Sequence, residues 1–277
     1  MSNRIILFVD LFFFSVLLFQ SCIYPEARGT GKEYLIQVLG YNLPLVMKKD
    51  ISYNIPVRIY LEDTSLDWVV CLASFRSPAF EVSGSNCIRK DHESNIYEIY
   101  LPKDGYIRVV NTDYILTETS DIIINACYTY YNIFSMMGCA YRDRSCEVNI
   151  TGVSPRVKYL DISRAEVIYD RKNNEFYLRI YLYPTEEENV YLMSINENIS
   201  ECYVRSPTDR YRVNYVLKYS NRKVEGSIDL RPGVANQVDV NLTELGIRDD
   251  LYSVYLEFRV DYIVMQKIYL GSVRIEK

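Results

Sequence analysis

Histidine and tryptophan are almost missing from this chain: each occurs once in 277 residues, as His92 and Trp68. A single imidazole leaves most of the molecule without the usual general base and provides no histidine pair for a metal. Cysteine occurs seven times but never as CxxC, which excludes zinc-ribbon and thioredoxin-type spacing. Helical periodicity is also scarce. No window longer than about ten residues repeats its apolar positions with the helical period, which removes the crossover helices of a parallel α/β sheet. An excess of positive charge is lacking: 31 basic residues stand against 36 acidic ones, for a net charge of −5. Counterion release from phosphates needs the opposite balance, so nucleic acid is not an expected partner. There is no GxSxG motif. The Gly29-Thr30-Gly31-Lys32 segment lacks phosphate-loop spacing and reads as a flexible tether.

What is abundant is tyrosine, with 27 copies inside an apolar fraction of 49%. That fraction is enough for a packed core, and Tyr suits half-buried pleated surfaces with its apolar ring and polar tip. Period-two alternation recurs along the chain. Phe176, Leu178, Ile180 and Leu182 share one face of a strand, and Tyr177, Arg179, Tyr181 and Tyr183 share the other. Val57–Leu61, Tyr211–Lys218 and Tyr252–Tyr262 repeat the pattern. Further strands are predicted over Glu33–Leu39, Trp68–Phe75, Ile96–Leu101, Tyr106–Val110, Ile122–Tyr130, Glu147–Gly152, Ala165–Tyr169, Cys202–Arg205, Lys223–Leu230, Gln237–Asn241 and Lys267–Glu276. One helical turn is expected within Thr243–Asp250.

The fold class expected is all-β: two antiparallel Ig-like β-sandwich domains behind an N-terminal segment. The boundary falls in Thr151–Ser163, dividing the chain into 1–22, 23–154 and 155–277. A single continuous two-lobed β-domain is the alternative. "Ig-like" is architectural only, because Trp68 precedes Cys71 and no Tyr stands two residues before Cys127.

The N-terminus sets the expected compartment. Ile5–Phe19 is apolar apart from Asp10 and follows Arg4, which suits a signal-peptide core better than a span of roughly 20 residues. A carboxylate at mid-bilayer costs roughly 2.5–3.5 kcal/mol, which strengthens that preference. Ser21-Cys22 resembles a lipobox, so Cys22 is the candidate lipidation site; an uncleaved anchor and clean secretion stay open. All three place the remainder on the cell surface or outside it, the favoured location being membrane-anchored on the extracellular side. The other six cysteines suit three bridges, expected as Cys71–Cys87, Cys127–Cys139 and Cys146–Cys202.

The run Ile123-Ile124-Asn125-Ala126-Cys127-Tyr128-Thr129-Tyr130, followed by Cys139 and Cys146, is similar to the ACYxY segments of membrane-anchored Ig-like surface proteins of small-genome archaea. In that group a strand enters a Cys-closed loop of a tethered ectodomain, and no chemistry is assigned. Scarce Gln beside plentiful Ile, Arg and Glu is also a profile of hot-living archaea.

Candidate functional residues are few. His92 sits in the charged Arg89-Lys90-Asp91-His92-Glu93 stretch and reads as a surface turn residue. Glu186-Glu187-Glu188 reads as a solvated turn, and Asp113, Glu118 and Asp121 lack Asp-x-Asp-x-Asp calcium spacing. No metal, cofactor or catalytic residue is assigned. Asn149, Asn198 and Asn241 head glycosylation sequons. Tyr177, Tyr181 and Tyr183 form the candidate interaction face, although plain strand packing beneath a neighbouring sheet or loop is the favoured reading of them. The function expected is a non-catalytic surface interaction or assembly module. It would be held to the membrane by its N-terminus and would contact a surface protein, an envelope component or its own copies. The alternatives are a carboxylate-based carbohydrate-active enzyme, which needs only a spaced carboxylate pair, and a virion or appendage subunit.

Overall fold

The computed structural model describes residues 35–115, 117–155, 159–184, 189–193, 199–202, 211–231 and 233–276. The leader with Cys22, the Gly29–Lys32 tether, Glu186–Glu188 and Asn198 lie outside the described residues. The described chain is all-β, with several mainly antiparallel sheets and no α-helix. Its strands are β1 (Ile36–Tyr41), β2 (Val46–Lys48), β3 (Ser52–Tyr53), β4 (Ile55–Leu61), β5 (Trp68–Leu72), β6 (Phe80–Val82), β7 (Cys87–Arg89), β8 (Ile96–Leu101), β9 (Ile107–Val109) and β10 (Thr119–Ala140). They continue with β11 (Cys146–Glu147), β12 (Asn149–Ser154), β13 (Leu160–Asp170), β14 (Glu175–Pro184), β15 (Val190–Met193), β16 (Tyr211–Tyr219), β17 (Arg222–Leu230), β18 (Asn236–Asn241) and β19 (Leu251–Glu276).

Two of these far exceed an ordinary strand. β10 has 22 residues and β19 has 26, and they pair antiparallel from Thr119↔Arg274 to Ala140↔Leu251. At ~3.3 Å per residue, β10 is about 70 Å long. Around this pair a nine-stranded sheet runs β17-β16-β19-β10-β5-β7, with β12, β15 and β2 attached to its side. A four-stranded sheet, β11-β13-β14-β18, and two three-stranded sheets, β1-β4-β8 and β3-β9-β6, complete the fold.

Strands from both sides of 154/155 therefore share one sheet. Within the segment expected as the boundary, Tyr159 is buried, and its hydroxyl lies 2.6 Å from that of Tyr128. Tyr130 and Tyr262, paired across the two long strands, pack edge-on around the same point. Tyr262 donates to Asn132 Oδ1, and Asn132 Nδ2 donates to the Pro155 carbonyl at 3.3 Å. Burial raises the Tyr128 and Tyr262 hydroxyls well above the ordinary phenol value of 10.0, because the phenolate would lose its water.

Halfway along, the alternation gives way to unbroken burial. Trp68–Leu72, Ile124–Tyr128 and Tyr262–Gln266 are buried at every position. One face, with Trp68, Val70, Ile124, Ala126 and Val264, joins the main core. The other, with Val69, Cys71, Cys127, Ile263 and Met265, forms a second core roofed by Ile199 and Cys202. Met193 joins it from β15, which pairs beside β19 in the same sheet, and the 3₁₀ turn Ile199–Glu201 with Cys202 lies over it. Asn125 Nδ2 donates to the Cys202 carbonyl at 3.1 Å, satisfying a buried amide.

The bridges are Cys71–Cys87, Cys127–Cys202 and Cys139–Cys146. The first matches expectation and the other two correct it. Cys127 and Cys139 lie on the same extended strand, about 40 Å apart at ~3.3 Å per residue, so they cannot close a loop. Cys139 instead ties β10 to β11 across the turn, and Cys127 holds the roof. The helical turn expected in Thr243–Asp250 is a non-helical turn closed by Leu245 N–H to the Leu242 carbonyl. Of the strand expected over Cys202–Arg205, Cys202 instead follows the 3₁₀ turn, and the remaining residues lie outside the described residues.

Two predictions follow from this frame. Replacing Cys127 and Cys202 together by Ala lowers the unfolding free energy by about 4 kcal/mol, against about 2.5 kcal/mol for Cys139 with Cys146, because the first bridge closes the longer loop. Denaturant titration under non-reducing conditions reads both, and equal losses would contradict the loop-length argument. A phenol whose folded pKa is raised stabilises the fold fully below the unfolded value near 10.0 and loses that contribution as pH rises beyond it. Alkaline titration of phenolate absorbance should thus show exposed tyrosines ionising first, with Tyr128 and Tyr262 ionising only together with loss of near-ultraviolet dichroism.

Candidate binding surface

The tyrosine face lies on β14, inside the four-stranded sheet. Tyr177, Arg179, Tyr181 and Tyr183 point outward and are half-buried. Arg179 grips Asp239 of β18 through two hydrogen bonds of 2.9 Å each. Tyr177 donates to Glu175, and that hydrogen bond to a carboxylate pushes its hydroxyl up to about 12. Polar groups on this face are thus largely committed to one another. Of the sequons, Asn149 is exposed on β12. Asn241 is half-buried, its Oδ1 accepts the Thr243 N–H at 2.8 Å, and Thr243 Oγ1 accepts the Phe176 N–H at 2.9 Å.

Two clefts open along β1-β4-β8. In β8 the alternation sends Tyr97, Ile99 and Leu101 inward and Ile96, Glu98 and Tyr100 outward. β8 ends its sheet and faces β7, the edge of the large sheet, which Cys71–Cys87 fastens to β5. The seam between the two edges opens into a cleft of about 300 Å³ walled by Trp68, Arg89, Asp91, His92, Lys103 and Asp104. Glu98 and Tyr100 close its far side and also line a second cleft of about 330 Å³, which continues over Arg58 and Pro56 to Leu39 and Tyr41. The register of β1 slips between Val38 and Gly40, and this bulge leaves Leu39 unpaired and exposed. The Lys103-Asp104-Gly105 turn, with Asp104 at φ +54°, brings the opposite wall around.

An aromatic series leads from this groove to the core. His92 lies tilted on Tyr97 and Tyr97 stands edge-on to Trp68, each pair with centroids 4.8 Å apart. Trp68 is only 1% exposed, and its Nε1 has no hydrogen-bond acceptor among the described residues. A buried donor in that state costs about 1–3 kcal/mol and is rare for an indole. His92 Nδ1 lies 2.5 Å from Asp91 Oδ1, and this hydrogen bond holds the Asp91 carboxyl below the usual range. A glycosidase acid requires the opposite shift. Among the described residues no cluster of three or more His, Cys, Asp or Glu side chains is placed to hold a metal.

Sequence reasoning placed His92 in a charged surface turn and did not single out Glu98, Tyr100, Arg58 or Leu39. A signal was present: three neighbouring strands carry large apolar residues, Leu39, Tyr60, Ile96 and Tyr100, at positions alternation assigns to the outside.

Because Tyr100 is 52% exposed and Glu98 is exposed, Tyr100→Ala and Glu98→Gln should each change unfolding free energy by no more than about 0.5 kcal/mol. Tyr97→Ala, which empties the ring beneath, should cost about 3 kcal/mol. Urea titration of the three variants checks the ranking; a large loss at Tyr100 would mark it as structural. No protein-family model and no curated protein matches the chain, so the functional reading rests on the groove itself.

Proposed function

We propose that the chain is an exported, membrane-tethered binding or assembly module that engages its partner through the groove over β8, without catalysis. The partner is a surface protein, an envelope component or another copy of the chain. In this reading the molecule is two Ig-like sandwich lobes fused along β10 and β19, held on the extracellular side by the N-terminal segment. The observation that carries the reading is the pair of adjoining clefts sharing Glu98 and the half-exposed ring of Tyr100. Concave surfaces lined by apolar residues with a few convergent polar groups are where ligands bind. Three bridges support an oxidising compartment, and the −5 net charge supports partners other than nucleic acid. The lowered Asp91 carboxyl favours binding over acid catalysis.

Full-length protein should bind envelope or cell-surface fractions, with Tyr100→Ala and Glu98→Gln each weakening the interaction at least tenfold and Tyr177→Ala leaving it unchanged. Co-sedimentation over a concentration series gives the affinities. Binding that ignores both groove substitutions would remove the groove from the function.

A further inference from the structure

We infer that the groove takes a neutral oligosaccharide, with one sugar ring in each cleft and the Tyr100 ring between them; this deepens the binding reading above and rests on it. Charge is the first argument. Asp91, Glu98 and Asp104 are matched by Arg58, Arg89 and Lys103, so the groove as a whole selects neither an anion nor a cation. Donors and acceptors nevertheless crowd together. A carboxylate only accepts and a guanidinium only donates, whereas a hydroxyl does both, so neighbouring hydroxyls of a sugar satisfy a mixed set that few other neutral ligands match.

Arg58 and Glu98 sharpen the point. They are paired in register across β4 and β8, are both exposed and line the same cleft, yet neither forms an ion pair among the described residues. Each therefore presents a planar, two-atom group to the groove, the geometry that meets adjacent hydroxyls. At the first cleft, the Trp68 ring forms part of the wall. Tyr100, Ile96 and Leu39 supply apolar surface for the C–H faces of pyranose rings.

Shape separates a saccharide from a peptide. The groove begins at the β7–β8 seam and crosses β8 and β4 to β1, running across the strands. A peptide added to the β8 edge would run along the strand and draw on its backbone. Clefts of about 300 and 330 Å³ lie at the small end for ligand sites, suited to single rings in succession.

Trp68 is the only tryptophan of the chain and its ring forms part of the cleft wall, so its emission serves as a reporter of this site. Full-length protein in detergent micelles is applied to a printed glycan array, and retained structures, with cellobiose, maltose, chitobiose and mannobiose, are titrated against Trp68 emission. The expected result is retention of at least one neutral glycan and a saturable emission change. Tyr100→Ala and Glu98→Gln should weaken that binding at least tenfold, with Tyr177→Ala unchanged. Retention of acidic glycans alone, retention of none, or affinity indifferent to Tyr100→Ala overturns the inference. If envelope binding still depends on Tyr100 while no glycan is retained or competes, the ligand class is wrong and the binding reading stands. If envelope binding ignores Tyr100, both fall.

Discussion

The backbone ladder between β10 and β19 is the constraint on which the rest of the structure depends. Its hydrogen bonds join residues more than a hundred positions apart, from Thr119 with Arg274 to Ala140 with Leu251. Such pairing gains nothing until the intervening chain has closed, so the two strands must be held together by what packs on them. The main core supplies that hold on one side of both strands, from Ile122 and Val273 at one end to Met136 and Val254 at the other. A ladder of this length also makes the halves interdependent. A strand cannot stay paired along its near half while its far half separates without exposing unpaired N–H and C=O groups.

Two features answer problems that the long ladder creates. At its centre the β5-β10-β19 block is apolar on both faces, and an uncovered second face would be a large exposed patch. The 3₁₀ turn Ile199–Glu201 covers that face beside Met193 of β15, and Cys127–Cys202 fastens it. The opposite face of the same two strands holds a buried polar point beside Tyr159. Tyr128, Tyr159, Tyr262 and Asn132 meet there with hydroxyl and amide groups bonded to one another or to the Pro155 carbonyl. Polar groups buried as a connected network fix one arrangement, because any other leaves a desolvated hydroxyl without a partner.

Much of this was legible as strands and little of it as architecture. Period-two alternation located β4, β8, β14 and β16 to within two residues, since each has one face in water and one in the core. It failed where that condition failed. Ile122–Tyr130 looked like one strand ending before Cys139, and Tyr252–Tyr262 and Lys267–Glu276 looked like two, because continuous apolar runs carry no period. Read as strands buried on both faces, Val69–Leu72, Ile122–Ile124 and Ile263–Met265 would have pointed to a covered central block. The expected Cys127–Cys139 loop passed over the nearer pair, Cys139 and Cys146, which is the one that bridges because Cys127 and Cys139 share a strand.

The groove shows a different kind of legibility. No motif marks it, since its walls come from β1, β4, β7, β8 and the 103–105 turn, and their meeting is set by the ends of two sheets. What the sequence did carry was a departure from economy: Leu39, Ile96 and Tyr100 are large apolar side chains on outward positions of adjacent strands. On the β14 face Tyr177 bonds Glu175 and Arg179 pairs with Asp239, whereas Leu39, Ile96 and Tyr100 are exposed beside the clefts. Tyrosine content by itself therefore did not locate the groove. Position relative to sheet edges did, because an edge strand has no neighbour to fill the space beside it, and at β8 that space became the groove.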